Sequence, residues 1–150
     1  MESTTSRSLF VVDASVATKW HLKDEPWTHQ AQAILTEYQE GRIDLVAPAF
    51  IRYEVPSAIR KTLRTRRLTS EDARTSIQTF LELGIPTIDG DDIILAAFEF
   101  TLRVGCSFYD GMYLALAEGL DCPLINADVS LHNALRGHLI ATVWLGDWPI

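Results

Sequence analysis

Short apolar runs alternate along the chain with stretches of helical periodicity. The first run, residues 9–12, ends at Asp13 and is followed by small residues. A short unbroken apolar run of this kind is typical of a strand buried on both faces of a parallel sheet. Further strands are predicted at residues 43–47, 85–88, 123–126 and 140–145. The pattern predicts an α/β fold with a central, mostly parallel sheet of four to five strands flanked by helices.

Helical periodicity and capping signals define the segments between these strands. The predicted helices cover residues 14–21, 24–40, 49–67, 69–83, 89–104, 107–119 and 128–135. Pro56 lies inside the predicted helix at 49–67 and is expected to kink or split it. Such a kink just after Glu54 would change the direction of that carboxylate.

Length and composition add limits to this picture. A chain of 150 residues without a linker or repeat predicts one domain over residues 1–150. No apolar run approaches the roughly 18 residues that cross a bilayer, and no signal-peptide core follows the polar start, so a cytoplasmic protein without a membrane partner is expected. Cys106, Cys122 and the four histidines lack metal-ligand spacing, which argues against zinc. The net charge of −7, taken alone, argues against a nucleic-acid partner.

Four carboxylates fall at positions that a parallel sheet brings to one edge. Asp13 ends the first strand, Asp128 follows the fourth, and Glu54 and Asp110 lie in the first turns of helices. We expect them to converge where ligands bind in open α/β sheets. Unit charges about 4 Å apart repel by about 4 kcal/mol at an effective dielectric of about 20. Such a cluster must take up protons or bind a divalent cation, and oxygen ligands suit Mg²⁺ or Mn²⁺.

Each of the four acids also has a purely structural interpretation, as a helix cap or an ion-pair partner. These alternatives are capping by Asp13 and by Asp128, a capping box of Ser107 and Asp110, and pairing of Glu54 with Arg52 or Lys61. Their joint placement at strand ends favours a shared site.

Four stretches distributed over nearly the whole chain carry a resemblance to a known family. They are residues 11–16, 47–54, 108–117 and 123–128. In this order the four stretches strongly resemble the PIN-domain ribonucleases, in particular the VapC-type toxins of bacterial toxin–antitoxin pairs. The resemblance implies a single PIN-like domain, a metal-dependent endoribonuclease acting on RNA, a homodimer, and a cognate antitoxin that blocks the site.

Carried over residue by residue, the resemblance makes Asp13, Glu54, Asp110 and Asp128 the catalytic, Mg²⁺- or Mn²⁺-binding acids. It places the Ser15 hydroxyl beside a metal-bound water, although Ser15 also suits a helix cap. The family often has Thr where this chain has Asn126. Because Asn still forms hydrogen bonds, altered contacts around the site are expected rather than a loss of activity.

Three other functions compete with this hypothesis. A haloacid-dehalogenase-type phosphatase needs a second Asp where Ser15 stands, and a response-regulator receiver needs adjacent acids and a late Lys that are missing here. A catalytically inactive PIN-fold module that binds RNA or an antitoxin is the more serious alternative. Metal binding at the carboxylates distinguishes it from the enzyme.

A basic cluster gives the acidic chain a local positive charge. It consists of Arg60, Lys61, Arg64, Arg66 and Arg67. It suits RNA phosphates, which dominate nucleic-acid affinity, or is simply a solvated helix face. Of the aromatic residues, Trp20, Tyr109 and Tyr113 are assigned to the core, and no base-stacking platform is recognisable.

Overall fold

The sheet is the frame on which the rest of the chain packs. The structure is a computed structural model that describes residues 6–65 and 67–150. Its five strands are β1 (Ser8–Val12), β2 (Ile43–Pro48), β3 (Thr87–Ile88), β4 (Leu124–Asn126) and β5 (Thr142–Trp144). They pair in the order β3-β2-β1-β4-β5, and every described pairing is parallel. The predicted α/β architecture is therefore confirmed.

Helices follow each of the five strands or connect them. They are α1 (Ala14–Ala17), α2 (Thr28–Gln39), α3 (Ile51–Thr62), α4 (Ser70–Glu82), α5 (Asp91–Val104), α6 (Phe108–Gly119) and α7 (Val129–Ala134), with 3-10 turns at Thr18–Trp20 and Leu145–Asp147. No helix in the described residues is long and apolar enough to cross a membrane.

The sequence predicts a kink or a split of the helix at Pro56, and the split does not occur. Helix α3 runs continuously from Ile51 through Pro56 to Thr62, because the buried side chains Val55 and Ile59 anchor it to the core on both sides of the proline. The same helix ends five residues earlier than predicted. Helix α2 starts at Thr28 rather than at residue 24, since Trp27 adopts a left-handed conformation with φ 58° that the helix cannot include.

The centre of the core is formed by β1 and α6. Val11 and Val12 are fully buried, and α6 is buried without interruption over residues 111–117. Helices α5 and α6 approach closely at Gly111, where a Cβ atom would lie 2.5 Å from the Ala97 carbonyl oxygen. This close approach fixes the start of α6, which carries Asp110.

Candidate active site

Asp13 is the most buried of the four acids, with 5% of its surface exposed. It occupies the N-cap position of α1, yet its side chain makes no capping hydrogen bond. Its Oδ2 instead accepts a hydrogen bond of 2.5 Å from Ser15 Oγ. Its backbone N–H donates to the Ile125 carbonyl oxygen at 3.1 Å, which ties it to β4. The carboxylate is thus held for a purpose other than capping.

Ser15 connects the two strand ends that carry acids. While its hydroxyl donates to Asp13, the same oxygen accepts a hydrogen bond of 3.0 Å from the Ala127 N–H. Ser15 lies inside α1 and does not cap it. The loops after β1 and β4 are therefore locked together beside the acids.

Asp128 serves as a helix cap and remains available to the site. Its Oδ1 accepts hydrogen bonds from the N–H groups of Ser130 at 2.9 Å and Leu131 at 3.3 Å. The predicted capping is confirmed, but both bonds use one oxygen. Buried Asn126 holds the Asp128 backbone from both sides, accepting from its N–H at 2.9 Å and donating to its carbonyl oxygen at 3.1 Å. Asn126 thereby fixes the direction of the carboxylate.

Asp110 begins α6 together with Ser107. The Asp110 N–H donates to Ser107 Oγ at 3.1 Å, as a capping box requires. Burial raises the pKa of Asp110, hydrogen bonds with Ser107 oppose this rise, and the charge of Asp128 adds to it, so the pKa lies above its usual range. Asp110 therefore takes part in the capping box and also in the acidic cluster.

Glu54 is held by a residue that sequence analysis assigned only to the core. The hydroxyl of the buried Tyr113 donates a hydrogen bond of 2.9 Å to Glu54 Oε1. Among the described residues neither Arg52 nor Lys61 lies within ion-pair distance of Glu54, although the charge of Lys61 acts to lower the pKa of Glu54. Tyr113 follows Asp110 by one helical turn on the buried face of α6, so periodicity alone does not reveal its contact with Glu54.

The four carboxylates act on one another electrostatically. The pKa of Asp13 is raised to about 7, mainly by burial and further by the charges of Asp110, Glu54 and Asp128, against the opposing hydrogen bond from Ser15. Burial also raises the pKa of Glu54; the Tyr113 hydrogen bond opposes this and the Asp110 charge adds to it. The charges of Glu54, Asp110 and Asp128, which lie on three other elements, therefore all act on Asp13 at the carboxyl end of β1.

The donor chemistry of this edge suits a hydrated divalent ion. Within the described residues no group of three His, Cys, Asp or Glu side chains is arranged to ligate one ion directly. Mg²⁺ keeps several of its waters and commonly takes one or two protein carboxylates. An all-oxygen cluster that resists full ionisation is compatible with this mode of binding.

A cleft of about 540 Å³ opens beside the acids. Ser15 and Glu54 lie on its wall, as do Tyr53 and Tyr109. Tyr109 is 58% exposed, so its assignment to the core is wrong, whereas Trp20 and Tyr113 are buried as predicted. The first turn of α6 extends past the core, which leaves the Tyr109 ring facing outward.

The basic cluster is only partly available to a ligand. Arg60, Lys61 and Arg64 are exposed at the end of α3, while Arg67 forms an ion pair of 3.0 Å with Glu25. Arg66 lies outside the described residues.

Comparison with known proteins finds a matching family model, similar sequences and similar folds. The family model for the PIN domain matches residues 10–134. VapC ribonuclease Mb0985 of Mycobacterium bovis is 30% identical over 137 residues, which cover 90% of this chain and 98% of the relative. The structure of PAE2754 from Pyrobaculum aerophilum shares the fold with a TM-score of 0.66 and 18% identity, over 94% of this chain and 93% of that one. A toxin–antitoxin complex from Klebsiella pneumoniae gives 0.66 and 14%, over 91% and 97%.

Proposed function

The chain belongs to the PIN-domain family, and we propose on that basis that it is a metal-dependent endoribonuclease, the toxin of a toxin–antitoxin pair. The observation that carries the proposal is the meeting of four acids from separate elements around the buried Asp13. A merely structural role for the four would not place their charges against one another. The similarity to a VapC ribonuclease over nearly its whole length supplies the substrate class.

We assign Asp13, Glu54, Asp110 and Asp128 as the residues that hold Mg²⁺ or Mn²⁺, directly or through water. Bound there, such an ion supplies an activated water and offsets the negative charge that develops in an in-line displacement at phosphorus. The raised pKa of Asp13 supports this assignment, because a proton and a divalent cation compete for the same buried oxygens.

The chain's own contribution is to hold these oxygens in place before RNA arrives. Ser15 fixes Asp13, Asn126 fixes the backbone of Asp128, and Tyr113 orients Glu54. Burial, together with the charges of Asp13 and Glu54, raises the pKa of Tyr113, so its hydroxyl keeps its proton and remains a donor. Carboxylates positioned in advance would hold a divalent ion without reorganising during the reaction, and the ion rather than the acids would offset the negative charge that develops at phosphorus. The raised pKa of Glu54 also suits proton exchange with water closer to neutral pH.

The exposed end of α3 is the proposed phosphate contact outside the cluster. Arg60, Lys61 and Arg64 project from it, whereas Arg67 is engaged by Glu25. Each phosphate contact on a single strand adds about 0.7 to the slope of log affinity against log salt. Replacing Arg60 and Arg64 with Gln should flatten this slope by about 1.4 in an RNA-binding titration. An unchanged slope would remove this surface from the proposal.

Two protein partners complete the proposal. The neighbour from Klebsiella pneumoniae is a toxin–antitoxin complex, and we infer that a protein antitoxin likewise controls this chain. For the homodimer we assign the outer face of α5, where Leu95, Phe98 and Leu102 are exposed at helical spacing. A two-fold axis lets one apolar face cover its own copy, which removes all three side chains from water.

RNA cleavage tests the proposed activity. Purified protein, freed of any co-purified antitoxin, is incubated with total bacterial RNA in Mg²⁺, Mn²⁺ or EDTA, beside Asp13→Asn and the exposed-site control Asp24→Asn. We expect cleavage with either ion by the unaltered protein and the control, and none in EDTA or with Asp13→Asn. Full cleavage by Asp13→Asn would refute the assignment. If the unaltered protein cleaves RNA with neither Mg²⁺ nor Mn²⁺, the result would favour the catalytically inactive module that binds RNA or an antitoxin.

A further inference from the structure

Two tyrosines are exposed beside the acidic site. Tyr53 is 77% exposed and directly precedes Glu54, and Tyr109 directly precedes Asp110. Both rings line the same cleft of about 540 Å³, whose wall also includes Ser15 and Glu54. The cleft therefore reaches the acidic site at Glu54, and both tyrosines are largely exposed to solvent.

The positions of Tyr109 and Tyr53 are fixed by side-chain packing and by helix α3, respectively. Tyr109 packs edge-to-face on Phe50 with ring centroids 5.1 Å apart, and Phe50 packs in the same way on the buried Tyr113 at 5.3 Å. Tyr53 is in the first turn of α3, and Ser57 and Lys61 follow it at intervals of four residues along the same cleft wall. Tyr109 is therefore supported by core side chains, and Tyr53 lies on the same face of α3 as Lys61.

Positive charge accompanies these rings in an otherwise acidic protein. Lys61 and Lys19 both line the cleft. Glu25 also lines it and pairs with the buried Lys19 at 3.5 Å and with Arg67, which lies outside the cleft, at 3.0 Å. Among the described residues Lys61 is therefore the exposed cation on the cleft wall that is not held in an ion pair. An aromatic cleft with cations on its wall is the arrangement that binds single-stranded nucleic acid, since bases stack on the rings and phosphates follow the cations.

We propose that this cleft holds an unpaired base of the RNA next to the phosphate that is cleaved, with Tyr53 and Tyr109 as its stacking surfaces and Lys61 contacting a neighbouring phosphate. The inference rests on the proposed ribonuclease function and adds the two side chains that position a base beside the reacting phosphate. Bases in a duplex are stacked on each other and do not offer their faces to side chains. Tyr53 and Tyr109 can therefore stack only on a base that is unpaired.

The test measures binding without cleavage. Fluorescence anisotropy of a labelled, short, single-stranded RNA of random sequence is followed in EDTA, for Tyr53→Ala, Tyr109→Ala and the matched Tyr53→Phe and Tyr109→Phe variants. Loss of one stacking partner should weaken binding by about 5-fold to 150-fold, whereas the Phe variants keep the ring and should bind as the unaltered protein does. Leu139→Ala, at an exposed position outside the cleft, is the control and should change nothing. Thermal unfolding confirms that each variant is folded.

Several results would overturn the inference. These are Ala variants that bind like the unaltered protein, Phe variants that lose as much as Ala variants, equal affinity for a duplex of the same sequences, or no binding by the unaltered protein. Tyrosine variants that keep RNA but lose a co-expressed antitoxin would assign the cleft to that protein instead. The outcome is separable from the proposed activity. If Asp13→Asn abolishes cleavage while the Tyr→Ala variants bind RNA normally, the nuclease assignment stands and the base-binding role of the cleft is refuted. If Asp13→Asn still cleaves while the Tyr→Ala variants bind RNA weakly, the base-binding role stands and the nuclease assignment is refuted.

Discussion

Replacing Asp13 by Asn should stabilise the metal-free protein at neutral pH, even though it removes a proposed catalytic group. In the folded protein the pKa of Asp13 is raised from 3.8 to about 7, mainly because the carboxyl is buried. The folded state therefore binds this proton more tightly than the unfolded chain does. Stability contributed by the protonated form is complete below about pH 4 and declines as the pH rises towards 7.

The size of the effect follows from the shift. A pKa raised from 3.8 to about 7 corresponds to about 4 kcal/mol of unfolding free energy lost above pH 7. Asn carries no charge, and its side-chain oxygen still accepts the hydrogen bond that Ser15 donates to Asp13. The free energy of unfolding of the variant should therefore exceed that of the unaltered protein by up to about 4 kcal/mol near pH 8, and this difference should vanish near pH 4.

Urea unfolding measured by tryptophan fluorescence in EDTA, at several values between about pH 4 and 8, provides the assay. The exposed-site variant Asp24→Asn is the matched control and should follow the unaltered protein throughout. An Asp13→Asn protein that is equally or less stable near pH 8, or a difference that does not depend on pH, would refute the claim that burial and neighbouring charges strain this carboxylate.

Three further predictions follow from individual contacts. Gly111→Ala should destabilise the fold by about 1–3 kcal/mol, because its Cβ would lie 2.5 Å from the Ala97 carbonyl oxygen, whereas Gly119→Ala meets nothing within 4 Å; thermal unfolding compares them. Ser15→Ala removes the hydrogen bond that lowers the Asp13 pKa, so the acidic limb of the activity profile should move to higher pH, and Ser15→Thr should restore it. Phe98→Asp should convert the proposed dimer into a monomer by light scattering; an unchanged mass would place the interface elsewhere.

The positions of the four acids could be predicted because the rules that fix them are local. Short apolar runs mark buried strands, and parallel strands bring their carboxyl ends to one edge. Asp13 follows β1 directly and Asp128 follows β4 after one residue, so their approach depends on topology and not on side-chain detail. The hydrogen bonds that link Ser15 to Asp13 and Asn126 to Asp128 each span two residues and are equally local.

The contacts that sequence analysis missed are of two kinds. The bond from Tyr113 to Glu54 joins residues 59 apart, and a tyrosine on the buried face of an apolar helix has the pattern of an ordinary core residue. Tyr109 follows the same helical spacing, but the first turn of α6 extends past the core, so periodicity assigned it to the wrong environment. The late start of α2 depends on the left-handed Trp27, a conformation that a tryptophan rarely adopts.

Calorimetric titration with Mn²⁺ tests the central claim most directly, because it examines the acidic cluster without depending on an RNA sequence. The unaltered protein should bind the ion near neutral pH and release protons as it does so, since Asp13 with a pKa of about 7 is partly protonated there. The released protons appear as a heat that varies with the ionisation enthalpy of the buffer. Asp13→Asn should lose this binding, and Asp24→Asn should keep it. Absence of binding by the unaltered protein, or equal binding by Asp13→Asn, would contradict the assignment of these four carboxylates as a metal site.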